Sequence, residues 1–511
     1  MTAPLPPPSS LTERRSRGTR RDYYPEPEYE DENDWRTTPL AQTAQAGYEQ
    51  VQQLPGVRIP PRRPRKWWGD LAGTLALASM VVVVALWLAN GGIQEMSATG
   101  GIAISIGRLT GLIAADLLIL QVLLMARIPW VERAYGQDVL ARRHRLVGFT
   151  SFWLMMVHIA LIILGYAQQV DASLLDQTWN LITNYSGVLL ATAGTVLLIA
   201  VVGLSIRAAR RKLRYESWHL IHLYAYLGVG LALPHQLWIG KEFATSYYGQ
   251  LYWVSFYGGT MAAVVIFRLA LPIWRSHRHQ LEVEAVVPEA DGIISVYIRG
   301  QQLDRLPARA GQFFLWRFKD GRRGWSRANP FSLSAMPRTD QLRITAKVVG
   351  DGTSRLATLR PGTKVYIEGP FGKMTGATRK QPKVLLMAAG VGITAMRALL
   401  EDLDYAEGDA TLLYRVSGPR DVAFADELDE LAWKRGARVI YVEGGRARRK
   451  SCMSAEFAHL DDSEALRRLV PDLADHDAYL CGPPEWMDAG RTALRTAGIP
   501  AANIHVEEFA W

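Results

Sequence analysis

At 511 residues the chain is long enough for two or three domains, and a mean hydropathy near zero conceals a strong internal asymmetry. The formal charge of +9 lies largely beside apolar stretches, where a bilayer surface accounts for it better than nucleic acid does. Two cysteines, Cys452 and Cys481, supply neither a disulfide framework nor a cysteine-based metal site.

Residues 1–66 contain PLPPP, RRSRGTRR, PEPEYEDEND and PPRRPRK, a composition that cannot bury a core and predicts a disordered cytoplasmic tail. It is too long and polar for a secretory signal. The basic run Arg62–Lys66, followed by Trp67 and Trp68, suits a membrane-edge anchor.

Six apolar stretches follow, near 70–90, 102–127, 146–166, 187–206, 217–237 and 249–272, each long enough to span hydrocarbon. The connections at 91–101 and 167–186 hold no Lys or Arg, and 238–248 holds only Lys241. The alternate connections carry ARRHR at 141–145 and RAARRKLR at 207–214, and WRSHRH follows the last stretch. This asymmetry predicts a multi-pass cell-membrane protein with both termini in the cytoplasm.

The third and fifth stretches carry paired histidines. His144 and His158 are 14 residues apart, which on a helix is ~21 Å of rise and within ~40° of one face. His222 and His235 are 13 apart, ~140° on an ideal helix, and Pro234 between them predicts a kink or local rewinding. His219, one turn before His222, is a rival to it. Both stretches run outward, so His144 pairs with His222 at the inner level and His158 with His235 at the outer level. An imidazole on each side of an iron is a haem ligation pattern. In the second stretch Arg108 and Asp116 are costly in lipid. They read either as a buried ion pair, or Arg108 snorkels to the interface, or Arg108 faces a haem propionate or an anionic substrate.

After Ser276 the pattern becomes period two. LEVEAVV, ISVYIRG, GQFFLWRF, LRITAKVV and KVYIEGPFG predict an antiparallel barrel or sandwich. From Lys383, strand-like KVLLMAAG, ATLLYRVS, ARVIYVEG, DAYLCGPP and NIHVEEF alternate with helical segments, predicting a parallel sheet with helices on both faces. Gly390 and Gly392 lie where a buried strand enters a helix, a place for a phosphate. Ser332 in ANPFSLS offers a hydroxyl to a flavin ring nitrogen. Gly350, Gly352, Thr353 and Ser354 offer backbone N–H groups and hydroxyls to a pyrophosphate. Cys481 and Gly482 end a late strand, where ligands bind in open parallel sheets.

The spaced histidines, ANPFSLS, GDGTSRL, EGPFG, GVGIT, CGPP and a terminal aromatic occur together and in one order. In this, residues 70–511 resemble the ferric reductase and NADPH oxidase superfamily. The resemblance implies a six-helix transmembrane bundle (67–275), an antiparallel β-barrel FAD domain (276–380) and an α/β parallel-sheet NAD(P)-binding domain (381–511). It implies that His144, His158, His222 and His235 ligate two haem b irons. It assigns Arg327, Asn329, Pro330, Phe331 and Ser332 to the flavin segment, and Gly350, Gly352, Thr353 and Ser354 to a second flavin loop. Gly390, Gly392 and Thr394 fall to the nucleotide pyrophosphate, and Cys481, Gly482 and Pro483 to the nicotinamide side. Phe509 becomes the aromatic over the flavin, with Trp511 a competitor. Ser332, Cys481, Phe509 and Arg108 are the residues it places nearest the chemistry.

Asn329 stands where the family commonly has His or Arg, Ala395 where it has Pro, and Ile162 where animal oxidases carry a further His. Arg415, Ser417 and Arg420 follow the second nucleotide-domain strand and favour NADPH over NADH, since no acidic residue ends that strand to bind a ribose diol. The implied activity moves electrons from cytoplasmic NADPH through FAD and two haems to an outer acceptor, oxygen giving superoxide or a ferric chelate. An alternative is an electron-donating subunit that reduces an extracytoplasmic protein.

Overall fold

The computed structural model describes residues 11–14, 67–206 and 215–507. The tail expected at 1–66 lies otherwise outside the described residues, as does the basic run 207–214. Leu11–Arg14 corrects the expectation of disorder: it is a strand, β1, paired antiparallel with a nucleotide-domain strand. The chain divides into two compact units: the first lies within Arg65–Ala270, and the second is formed by the described residues from Leu271 onward together with β1.

In the first unit, the main helices are α1 (Trp67–Ala89), α2 (Gly101–Leu124), α3 (Gln137–Val170), α4 (Val188–Ser205), α5 (Tyr215–Ile239) and α6 (Tyr247–Val264). Five helices meet the length and hydropathy of a membrane span among the described residues: Trp67–Ala89, Gly101–Leu124, Val139–Val170, Val188–Ser205 and Tyr247–His279. The sixth expected span forms α5, 25 residues long, but does not reach that hydropathy. Three histidines, Trp218, Tyr224, Tyr226 and Gln236 dilute it. α5 runs on through Pro234 as one assigned helix.

α2 packs along α3, and α4 along α5. Glycines permit the approach: a methyl on Gly194 would lie 2.5 Å from the Gly228 carbonyl oxygen. Asp116 is fully buried and binds three helices, accepting from Ser79 Oγ of α1 at 3.0 Å and from the Tyr252 hydroxyl of α6.

The second unit contains two six-stranded sheets. One is antiparallel, from β2 (Glu282–Ala290), β3 (Ile293–Arg299), β4 (Phe313–Lys319), β5 (Asn329–Ser332), β6 (Gln341–Lys347) and β7 (Lys364–Phe371), in the order β5-β4-β7-β2-β3-β6. Its two edges meet at a single bridge, Leu333 against Ile344, rather than along a ladder. Period two decides what each face does. Val296, Ile298, Leu342 and Ile344 point into a core around Phe314 and Trp316, each buried side chain stabilising by roughly 1.5–3 kcal/mol. The intervening Ser295, Tyr297, Arg343 and Thr345 are also buried, but form a polar layer.

The other sheet comprises β1 and the parallel strands β8 (Lys383–Ala389), β9 (Ala410–Arg415), β10 (Arg438–Val442), β11 (His476–Cys481) and β12 (Ile504–Val506), in the order β1-β10-β9-β8-β11-β12. Alternate residues of β8 face opposite cores. Leu386 and Ala388 pack with helix α8 (Ile393–Asp402) and helix α9 (Ala425–Arg435); Leu385 and Met387 pack with α10 (Asp462–Leu469) and α11 (Pro484–Thr496). Strand order reverses between β8 and β11, and ligands of such sheets bind at the carboxyl ends of the strands at that switch point.

Candidate functional site

The four histidines share two helices, and the neighbouring helices orient them. Nδ1 of His144 lies 3.0 Å from the Gln121 carbonyl oxygen, and Nδ1 of His158 lies 2.7 Å from that of Gly107. Both acceptors are on α2. They are 14 residues apart, the same step as the two histidines on the antiparallel α3. A carbonyl only accepts, so Nδ1 carries the proton in each ring and Nε2 keeps a lone pair. That is the arrangement of a metal-binding imidazole fixed by its other nitrogen. Gly111 leaves room for it: a methyl there would sit 2.5 Å from His158 Nδ1.

On α5, His222 Nδ1 is 3.3 Å from Ser205 Oγ at the end of α4. The ring centres of His144 and His222 are 6.0 Å apart. Two imidazoles on opposite sides of one metal, with bonds of ~2 Å, have centres about 6 Å apart. His235 packs against Gly187, where a methyl would fall 2.6 Å from the His235 backbone nitrogen. Nδ1 of His235 is buried, and the Ala232 backbone approaches it without reaching hydrogen-bond geometry. His158 and His235 are close enough to interact electrostatically.

Arg108 does not stand open to a ligand. It is clamped by ion pairs to Glu95 and Glu242, both in connections between helices. Asp116, its expected partner, is held by hydroxyls instead.

In the second unit, the loops after β8 and β11 touch. A methyl on Gly392 would collide with the Cys481 carbonyl and lie 2.9 Å from the Gly482 nitrogen, while Gly390 holds a left-handed φ of 54°. The Thr394 hydroxyl turns back to the Val391 carbonyl at 3.0 Å. Ser332 pairs with Phe313 across β5 and β4, and Phe313 pairs with Phe371 of β7. Glu507 accepts the Lys373 N–H at 3.2 Å and interacts with Cys481, linking that row to the end of β11. Burial, aided by Glu507, pushes the Cys481 thiol up to about 12, so it stays protonated.

The segment from Gly350 forms a helix, α7 in position though only six residues long (Asp351–Leu356), rather than the open loop expected. The Thr353 hydroxyl accepts the N–H of Val349 at 2.9 Å and of Gly350 at 3.1 Å. Asn329 Oδ1 would lie 3.2 Å from a methyl on Gly352, so the two proposed flavin segments meet, with Pro330 and Phe331 half-buried between them and the core. Arg327 and Ser354 are solvent-facing or partly so. Arg415 is buried, donating to the Gly444 carbonyl at 2.6 Å and to that of Val442 at 3.2 Å, whereas Ser417 and Arg420 are exposed beyond β9. Pro483 precedes α11. Phe509 and Trp511 lie outside the described residues.

Residues 110–233 match the ferric reductase like transmembrane component, and residues 386–492 match the oxidoreductase NAD-binding domain. The chain has the fused architecture of the ferric reductase and NADPH oxidase superfamily. The ferric reductase-like match contains His144, His158 and His222 and stops two residues before His235. The ferredoxin reductase component of 3-ketosteroid-9-alpha-monooxygenase from Mycolicibacterium smegmatis is 32% identical over 244 residues, 46% of this chain and 66% of the relative. The chain thus spans about two thirds of the length of that relative. A flavohemoprotein of Bacillus subtilis is 26% identical over 43% of this chain and 56% of its own. The FAD/NAD-binding domain of nitric oxide dioxygenase from Vibrio cholerae aligns with 45% of this chain and 99% of its own, at 22% identity and a TM-score of 0.37.

Several participants in the ferric reductase-like unit escape sequence reading. Gly107 and Gln121 act through backbone carbonyls, Gly111 through the side chain it lacks, and Ser205 from another helix. In the second unit Glu507 escaped sequence reading too, its one signal being its place two residues before Phe509.

Proposed function

We propose that this chain is a transmembrane oxidoreductase that carries electrons from cytoplasmic NADPH, through FAD and two b-type haems, to an acceptor on the outer face, oxygen or a ferric chelate. When bound, the flavin takes a hydride (one proton and two electrons, leaving NADP+) and the haem irons pass electrons singly. The observation that carries the reading is the His144–His222 separation of 6.0 Å together with Nδ1 of His144 tied to a helix carbonyl.

His144 with His222, and His158 with His235, would hold the two haem irons, which would supply one-electron transfer. α5 is then the sixth span, with His222 and His235 turned to a cofactor rather than to lipid. In the second unit, Gly390 and Gly392 let a pyrophosphate approach the backbone at the start of α8. Ser332 and Cys481 present neutral hydrogen-bonding groups to the flavin–nicotinamide contact. Asn329 and the first turn after Gly350 hold the flavin's phosphates. Ser417 and Arg420 remain available to a 2′-phosphate, and Arg446, exposed beyond β10, joins them. Arg415 supports this loop from below through backbone carbonyls.

Flavin reduction timed with NADPH and with NADH tests the nucleotide assignment, and equal rates would remove the preference. A second reading has its own support, since the relatives include reductase components that serve separate oxygenases. On it, an extracytoplasmic protein is the acceptor. NADPH oxidation that needs neither oxygen nor ferric chelate but does need an extracytoplasmic extract would favour it. Rapid turnover with oxygen or ferric chelate alone would exclude it.

A further inference from the structure

The segment that carries Ser332 is held from behind by the nucleotide half. Ser334, two residues on and fully buried, is the hub. Its carbonyl accepts from Arg343 Nη2 at 2.8 Å and from Arg397 Nη1 at 3.3 Å, and its hydroxyl accepts from Arg343 Nε at 3.1 Å. Arg343, on β6, also meets Glu427 of α9 in a two-pronged pair, at 3.0 and 3.1 Å. Arg397, on α8, reaches the same carboxylate at 2.7 Å. Glu401, one turn further along α8, is ion-paired to Arg397 and accepts the Met336 N–H at 2.8 Å. α8 is the helix that follows the Gly390–Gly392 turn. One helix therefore carries the nucleotide loop at its end and grips the flavin segment with its side.

Three features set this network apart from ordinary packing. Arg343, Arg397 and Glu427 are at most 9% exposed. Buried charges are a poor route to stability, since apolar replacements often do as well, but forked Arg–carboxylate pairs define geometry sharply. Phe424, which opens α9, holds a left-handed φ of 62°, unusual for a bulky residue, and its ring lies 4.9 Å from the Arg343 guanidinium.

We propose that Arg343, Arg397 and Glu427 are positioning residues that lock the flavin strand to the nucleotide helix in the one alignment that hydride transfer requires. The proposal rests on the NADPH–flavin reading above. None of the three touches the reacting atoms; they act through Ser334 and through α8.

The test uses the detergent-purified full chain with FAD bound and the variant Glu427→Gln. Three readouts are needed: flavin reduction at saturating NADPH, the Kd for NADP+, and the long-wavelength charge-transfer absorbance of nicotinamide stacked on flavin. A misplacement of ~1 Å costs up to ~100-fold in rate, so E427Q should retain FAD, bind NADP+ within about 3-fold of the parent, and reduce its flavin roughly 10–100-fold more slowly. The charge-transfer band should weaken in parallel, and Arg343→Lys should fall between parent and E427Q. An unchanged rate and band in FAD-loaded E427Q would overturn the proposal. Should E427Q lose FAD, Glu401→Ala removes the acceptor for the Met336 N–H and the ion pair to Arg397 while leaving Glu427 in place, and should slow reduction with FAD retained; parental behaviour there would overturn it equally. A parent protein whose bound flavin NADPH does not reduce would instead defeat the underlying reading.

Discussion

Gly111→Ala should displace one haem ligand and leave the other three. The added methyl would sit 2.5 Å from His158 Nδ1, 2.8 Å from Cε1 and 2.9 Å from Cγ. Ordinary contacts are about 3.5 Å, so the ring must retreat by roughly 1 Å. The 2.7 Å bond to the Gly107 carbonyl is then lost. Overpacking costs about 1–3 kcal/mol and the hydrogen bond about 1 kcal/mol, giving roughly 2–4 kcal/mol at the outer site. At ~1.4 kcal/mol per tenfold, that weakens retention of the outer group by roughly 30- to 1000-fold. The assay is haem per chain by pyridine haemochrome on detergent-purified protein, expected to fall from about two to about one. Gly230→Ala is the control. It lies on α5 between His222 and His235, nothing stands within 4 Å of its added methyl, and both haems should remain. A Gly111→Ala protein with two haems and an unaltered spectrum would refute the placement of His158 by α2.

Other consequences follow from single residues. His222→Ala should remove the inner haem while His219→Ala keeps it, because the His222 ring centre lies 6.0 Å from that of His144; the reverse result would exchange their roles. Cys481 should resist iodoacetamide at pH 8 in the folded protein, its thiol being buried and pushed up to about 12, and should label on denaturation; mass spectrometry decides it. Burial alone would raise the Asp477 carboxyl, but His505 at 2.8 Å and the N–H groups of Gln381 and Lys380 outweigh it and hold it below its ordinary value. A depressed carboxyl stabilises fully above its unfolded value of about 4 and loses that contribution as pH falls through the lower folded value. Asp477→Asn should therefore flatten the decline in melting temperature below about pH 4, and an identical decline would contradict the assignment.

What the sequence revealed was periodic or local. Apolar length marked the spans, and period two marked β3 and β6, although it could not say that their outward residues meet the nucleotide half. The histidine step of 14 was visible because it is a property of one helix. Its counterpart on α2 was not, because Gly107 and Gln121 contribute backbone oxygens, which every residue has. Arg108 was legible as costly, but its partners Glu95 and Glu242 lie in separate connections, and Asp116, the partner nearest in sequence, is taken by Ser79 and Tyr252. α5 fell short as a span because its histidines and aromatic residues lower its hydropathy. Arg415 read as a phosphate ligand by position, yet folding closes it onto the carbonyls of Val442 and Gly444.

The most direct test of the relay is an anaerobic reduced-minus-oxidised spectrum of detergent-purified protein, with NADPH as the only reductant, followed by admission of air or ferric chelate. The account predicts flavin bleaching, low-spin b-type bands at about two haems per chain, and reoxidation fastest with the physiological acceptor. Folded, flavin-loaded protein without haem bands would mean that the four histidines are structural, and would contradict the account at its centre.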